Sequence, residues 1–562
     1  MASFDNPIVN LPILGRLNVR ILIQMKCIQA IELRVPSSLE TIRLSSCVQM
    51  DTLPTVLSSE PSYEPVTKEG STYYERTLLG SERVYDQLTL TYNGMPECAM
   101  GFEFEAPQWD WKMIKTKAFR AWAHLRFIYP NLAASMIHDE IEYARKWSYK
   151  LTTNVDDAVV WAAQTFEVLD EPIENEGVIA LLNQRKLETE QYPQIMRALL
   201  TRLPSRESTY GIFMHGTHAI MDARPTLNAF KRLFATMVSE TPLLEELPWG
   251  QEYENLPKGP VTITGGLRED AHATLPALAK RVFSDSARDT PTLGPHLATM
   301  SRGIMQPGLP VRVRITFSVE DSAAIIRALK HLNSDTAVAH GENKRRVTIT
   351  NLFEAAQILT IFQANEVPDE QALYAHVTLP ANYISLVPWL SGPYKTQERF
   401  TSETVVVPLS IPYTDYIANA GQPAKAQLVA MMHQLRDQYE LYLSDPCLPH
   451  LTAYTSASAD MRFGISSENP LAAMITNLGV VEQICPVAVS SGKAGAGEGT
   501  ESLIRLTDMV FGHRMTFYNA ITHIWTFDSR VNVQLEASDV WDRSVLQNYL
   551  EAICANARHL LD

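Results

Sequence analysis

Cysteine is scarce in this chain: Cys27, Cys47, Cys98, Cys447, Cys485 and Cys554 are all that occur in 562 residues, with no CxxC pair. A disulfide framework and a zinc ribbon are thereby excluded, and the usage suits a reducing compartment. Positive charge is also short, with 48 Lys and Arg against 63 Asp and Glu and a formal net charge of −15. A nucleic-acid binder needs a basic face, so no nucleic-acid partner is expected, although a local basic patch could hold a phosphorylated cofactor. Long apolar runs are missing too. The one near the start is broken by Arg16, Arg20 and Lys26, which argues against a membrane span. The opening "MASFDNPIVN" carries an acid where an export signal carries positive charge. The expectation is a cytoplasmic protein with no membrane partner. A nucleotide loop is lacking as well: the Gly-rich "SSGKAGAGEGTE" (490–501) fits neither GxxxxGK[ST] nor GxGxxG and reads as a solvated connection.

What is present is an ordinary globular composition, 46% hydrophobic and 20% charged. The length exceeds one core and suits two large sheet-based domains. Residues 1–60 read as a poorly structured lead. "WDWKMIKTKAFRAWAHLRFIYP" repeats Trp111, Ile114, Ala118, Phe119, Trp122 and Leu125 at helical spacing and closes at Pro130. "ITNLFEAAQILTIFQAN" predicts a second helix with Leu352, Ala355, Ala356, Leu359 and Phe362 on one side. "PVRVRITFS" alternates as a half-buried strand. "THIWTFDSRVNVQLEAS" predicts a hairpin turning at Asp528 and Ser529, with Val531, Val533 and Leu535 facing one way, before a final helix. Strands and helices interleave throughout, an α/β or α+β layering. The Pro- and Gly-bearing stretch around 242–270, leading to the Pro310 strand, is the expected connection between domains.

The chemistry concentrates in "YGIFMHGTHAIMDARPTLNAF" (210–230). A β-prone run leads through a short turn into a helix on Leu227, Phe230, Leu233, Phe234 and Met237, with Pro225 tolerated near its start. His215, His218 and Asp222 could be metal ligands, but they lack the helical spacing of HExxH. They could be a polar turn with Asp222 capping the helix. Or His218 could be a general base, its titration suited to taking a proton from a hydroxyl that attacks an acyl carbon.

"HAIMDA" (218–223) resembles the HxxxD motif of the chloramphenicol-acetyltransferase-like superfamily, which includes acyl-CoA transferases, fungal O-acetyltransferases and peptide-synthetase condensation domains. Further segments resemble the family in order. The early helix ends in Tyr129-Pro130-Asn131-Leu132, "TNLFEAAQIL" opens the second half, "ITNLGVVEQICP" forms a strand, and the hairpin and closing helix end the chain. The likeness spans about residues 75 to 560 and is greatest to the fungal trichothecene 15-O-acetyltransferase type. It departs from the pattern at Ala223, where Gly often follows the Asp, and at "MVFGHR" (509–514), where plant-type members carry DFGWG.

The resemblance implies two tandem domains, 61–300 carrying HxxxD and 301–562, each a mixed sheet flanked by helices, with an active-site tunnel at their interface. It implies direct transfer from acetyl-CoA or another acyl-CoA co-substrate to a small-molecule alcohol, a trichothecene-type sesquiterpenoid by likeness. His218 would be the base and Asp222 its structural support, paired with an arginine among Arg462, Arg505 and Arg514. Thr476 and Asn477 are candidates for oxyanion or tunnel contacts, and equally for buried sheet partners. His513 and His523 read as ordinary polar positions. No metal is expected, and the protein is expected to be a monomer. Two rivals remain: an acyl donor borne on a carrier protein, and a non-catalytic scaffold of the same fold.

Overall fold

The computed structural model describes residues 60–562, save 140–143, 205, 240–242, 287–292, 295–307, 341–344, 456–473, 491–502 and 517. The lead, most of the Gly-rich stretch, Arg462 and part of the expected domain connection lie outside the described residues.

The strand Thr209–Gly216 is buried along its whole length. It can be, because it is central in a six-stranded sheet of order Ala488–Val489, Ile504–His513, Cys98–Glu105, Thr209–Gly216, Met196–Arg202, Phe166–Val168. The first two strands come from late in the chain and the other four from its first half. Ile504–His513 pairs antiparallel with Cys98–Glu105, setting His513 opposite Cys98. On one face lie Met100, Met214 and the Phe102, Phe104, Phe230 and Phe234 cluster. On the other, Phe213 packs with Val178, Ile179 and Leu182 of the helix Asn175–Gln184. The Phe213 ring has room only because Gly101 faces it directly across the strands; a Cβ there would come within 2.2 Å of the ring.

A second sheet orders Met474–Val480, Ile521–Phe527, Arg530–Ser538 and Pro310–Thr316. Its first pair is parallel and the rest antiparallel. The predicted hairpin turns at Asp528 and Ser529, both at positive φ. The alternation in its second strand reads as half-buried, but Asn532, Gln534 and Glu536 are buried along with Val531, Val533 and Leu535. The polar side is covered by the Ile504–His513 strand, to whose Phe511 carbonyl Gln534 donates (3.1 Å). The helix Ile349–Ala364 likewise departs from a one-sided reading: Phe353, Ile358 and Ile361 are buried as fully as Leu352 and Leu359. It is enclosed all round.

The long helix Trp111–Ile128 begins where Asp110 accepts from the Met113 N–H (2.7 Å) and buries Ile114, Ala118, Trp122 and Leu125. Its end passes into a short helical turn, Pro130–Ala133. The stretch 243–270 forms short helical turns, and the helix Ala271–Ser286 follows. Two smaller sheets complete the layering, one of Glu64–Lys68, Ser71–Thr77, Ala144–Lys150 and Ser135–Asp139, the other of His376–Ser385 and Thr404–Pro412. Cys98, Cys447, Cys485 and Cys554 are free and buried. Among the described residues no helix is long and apolar enough to cross a membrane.

Candidate active site

Strand Thr209–Gly216 ends and helix Ala223–Val238 begins within six residues, and the turn between them is tightly satisfied. The Thr217 carbonyl accepts from the N–H groups of Ile220 (3.2 Å) and Met221 (3.0 Å), while the Thr217 N–H donates to Ile195 (2.9 Å). His218 is the first residue of that turn. A strand end and a capped helix start give its side chain a stiff mount.

Asp222 is the helix N-cap. Its carboxylate accepts from the Ala223 N–H (2.7 Å) and from the Glu403 N–H (3.3 Å). Burial pushes it up to about 6 against these two bonds. Among the described residues no arginine pairs with it. Arg514 donates instead to the carbonyls of Asn93 (3.0 Å) and Asn183 (2.8 Å), and Arg505 is exposed. The expected arginine is replaced by a backbone donor from a distant loop, and Glu403 is in turn ion-paired with Arg399. The same loop grips the site elsewhere: Glu398 binds Lys231 (2.9 Å), Arg232 (2.6 Å) and the Tyr129 hydroxyl (3.2 Å), and Asn131 donates to the Phe400 carbonyl.

His215 does not join His218. It lies on the opposite face of the sheet, where its Nε2 is 3.8 Å from Glu97. Burial, helped by Arg197, Arg185 and Arg514, holds His215 down to about 3, and burial pushes Glu97 up to about 8. At neutral pH this is an uncharged pair, not a salt bridge. The trio His215, His218, Asp222 is therefore not a ligand set.

His218 opens instead on a cavity of about 370 Å³ where the two larger sheets meet, within the range of small-molecule sites. Its walls bring together Cys98 and Met100, Asn382 to Ser385, Thr476 to Gly479, and Phe511, His513, Asn519 and His523. The His218 ring is surrounded by protein, yet its edge reaches the cavity. It stacks on Tyr85 at 3.8 Å and 6°, and meets His513 at 5.2 Å and 22°. Burial first, and then the charge of His513, holds its pKa well below the usual range, so the free imidazole is the resting form. Its Nδ1 is buried with no hydrogen-bond partner, and the backbone of His218 itself and of Met221 offsets part of the fall. Nε2 is left for the cavity, the geometry of a base.

Thr476 and Asn477 both line the cavity. The Asn477 side chain is occupied at both ends, donating to Thr350 (2.7 Å) and accepting from the Gly479 N–H (2.7 Å). Thr476 lies beside His523 in the parallel pairing.

His513 and His523, read from the sequence as ordinary polar positions, are part of this wall. His513 and His523 stack at 4.9 Å and 18°, and both approach the buried Glu536, at 2.9 and 3.5 Å. These three residues place one donor atom each within 4.8 Å of one another. Near-parallel stacked rings, however, hold their in-plane lone pairs in separate planes rather than aiming them at one point. The Glu536 oxygen nearest both rings is already taken by the N–H and Nδ1 of His513 (both 2.9 Å). The donor set fits shared protons better than a cation. A sequence signal existed: His513, His523 and Glu536 all sit in strands crowded with large apolar residues, where a titratable group needs a buried partner.

No protein-family model matches the chain, and no curated protein does. Solved structures match it in fold. Trichothecene 15-O-acetyltransferase from Fusarium sporotrichioides superposes with a TM-score of 0.73 at 15% identity, over 89% of this chain and 97% of its own. Polyketide synthase associated protein 5 from Mycobacterium tuberculosis gives 0.52 at 13% identity, over 86% and 97%. The condensation domain of Monacolin K polyketide synthase gives 0.53 at 11% identity, over 86% and 97%. The likeness is one of architecture: this chain has the mixed α/β, two-domain fold of the chloramphenicol-acetyltransferase and condensation type.

Proposed function

We propose that the protein is an acyl-CoA-dependent O-acyltransferase, an O-acetyltransferase in its preferred reaction, acting on a hydroxyl of a hydrophobic secondary metabolite. The observation that carries this reading is a free His218 imidazole, packed on Tyr85 and beside His513, on the wall of a cavity at the meeting of two sheets. His218 takes the acceptor's hydroxyl proton as the oxygen attacks the thioester carbon in a ternary complex, with no covalent acyl-enzyme. Asp222 acts on the turn alone: its carboxylate is spent on backbone N–H groups, which fixes where His218 sits. Thr476 is assigned as a donor to the oxyanion. Asn477 is assigned as the brace that holds that strand against Thr350.

Support for the two substrates comes from the surroundings. A recess of about 200 Å³ bears Arg224, Lys231, Lys395 and Arg399 and shares Arg224, Val387 and Ile484 with the main cavity. Glu398 and Glu403 line it too and pair with Lys231 and Arg399, so Arg224 and Lys395 are the cations that suit the phosphates of a coenzyme A donor. Met95, Met100, Met221, Met474, Met515 and Ile521 give the cavity an apolar lining that suits a terpenoid alcohol, and by the resemblance of the sequence we assign a trichothecene-type sesquiterpenoid as acceptor.

The test is thiol release from acetyl-CoA with a panel of terpenoid alcohols, for wild type and His218→Ala. Acceptor-dependent release that falls about 10²–10⁴-fold on substitution supports the base. Release that survives the substitution refutes it. Transfer only from an acyl group loaded on a carrier protein would select that donor instead.

A further inference from the structure

Four rings form one continuous stack, Tyr85, His218, His513 and His523, with centroid spacings of 3.8, 5.2 and 4.9 Å. At the far end lies Glu536, buried and fully engaged. One oxygen accepts from both the backbone N–H and Nδ1 of His513, and the other from Gln534 Nε2 (2.5 Å). The groups that face His513 are His218 from the motif turn, His523 and Glu536 from the second sheet, Cys98 directly opposite on the neighbouring strand, and more distantly Asp222.

A buried carboxylate with this many donors keeps its charge, and its bonded partner balances it. Burial pulls His513 down, but Cys98 and the Glu536 carboxylate outweigh that and raise it to about 10. Glu536 is held far below the carboxylate range despite its burial, chiefly by the charged His513, whose backbone N–H and ring Nδ1 both donate to it. Burial keeps His523 and His218 uncharged. At neutral pH the stack thus carries a single proton in excess, on the one ring whose Nδ1 is committed to Glu536 and whose Nε2–H lies on the side of Cys98 and the cavity.

We propose that His513, backed by Glu536, is a second catalytic residue of the acyl transfer, giving its Nε2 proton to the sulfur of the departing thiol while His218 takes the proton of the attacking hydroxyl. The proposal rests on the acyltransfer reading. The acceptor O–H proton passes to His218 Nε2 as the new C–O bond forms. The C–S bond then breaks with its electron pair on sulfur, and the His513 proton joins that sulfur. Release of the His218 proton and return of one to His513 through solvent resets the stack, so thioester and alcohol give ester and free thiol. The physical reason lies in the stack itself. Were His218 to gain a proton while His513 kept its own, two imidazolium rings would lie 5.2 Å apart in a buried site. With the exchange, the second excess proton leaves the stack as the thiol departs.

The experiment compares wild type, His513→Gln and Glu536→Gln on two donors, acetyl-CoA and phenyl thioacetate, whose acidic thiophenol leaves without an acid's help. Circular dichroism and acetyl-CoA binding confirm that each variant folds. The expected result is a kcat on acetyl-CoA about 10²-fold lower in His513→Gln, with a change on the thiophenyl ester of no more than about threefold. In wild type, kcat should hold to high pH and fall near 10; in Glu536→Gln that fall should move toward neutrality. Equal losses on both donors, or an alkaline limb that Glu536→Gln leaves in place, overturn the proposal. No transfer by wild type from either donor overturns the acyltransfer reading and this proposal together, and that outcome is separate because wild type is then itself inactive.

Discussion

Replacing Gly101 by alanine adds one methyl group to a strand, yet it should disturb the molecule more than most surface changes. The added Cβ would come within 2.2, 2.6 and 2.7 Å of three atoms of the Phe213 ring. That ring is fully buried against Val178, Ile179 and Leu182 and is closed from the Gly211 side as well, where a Cβ would meet it at 2.7 Å. The ring has nowhere to go, so strand or helix must shift. Overpacking of this kind costs about 1–3 kcal/mol, and the lack of slack points to the upper half of that range even after alanine's smaller backbone entropy loss. Phe213→Leu should relieve the clash. In a double-mutant cycle the pair should be at least about 1 kcal/mol less destabilised than the sum of the single changes. Urea midpoints measure this, with turnover as a second readout, because Cys98 and Met100 on the opposite face of the same strand line the cavity. A Gly101→Ala protein within about 0.5 kcal/mol of wild type, or strictly additive single changes, would refute the reasoning.

Asp222→Asn keeps an acceptor for Ala223 but turns a donor toward the Glu403 N–H; it should cost about 1 kcal/mol, and Asp222→Ala about 2, with kcat falling while the KM for the acyl donor holds. A large rise in KM with kcat intact would place Asp222 in donor binding instead. The buried Glu97 is raised from 4.5 to about 8, so its contribution favours the fold below pH 4.5 and is lost as pH climbs toward 8. Glu97→Gln, which still accepts from the Leu187 N–H, should therefore raise the melting temperature relative to wild type more at pH 8.5 than at pH 5; parallel curves at the two pH values would sink this assignment.

The parts of the molecule legible in the sequence are those whose signal is local. The strand, turn and helix around His218 show in one stretch, and helix Trp111–Ile128 follows from its own periodicity. Where a second element covers a face, the same rules mislead. Glu536 and Gln534 alternate with Val533 and Leu535 as a solvated edge would, but strand Ile504–His513 lies over them. The partner of Asp222 was not legible either, because a backbone N–H from Glu403 leaves no residue type to search for. His513 meets His218 only through strand pairing between distant segments, which no local pattern contains.

That pairing has a consequence for how the protein is made. Glu103 and Thr507, hydrogen-bonded across neighbouring strands, are 404 residues apart. During synthesis the strand Cys98–Glu105 emerges early and can pair with Thr209–Gly216, but its other edge stays open until nearly the whole chain has left the ribosome. At typical elongation rates of about 5–20 residues per second, that edge waits about 20–80 seconds. An open, apolar edge is a template for wrong partners, so the nascent first half should depend on chaperone cover. Expressed alone, it should aggregate, and supplying residues 310–562 in trans should rescue its solubility.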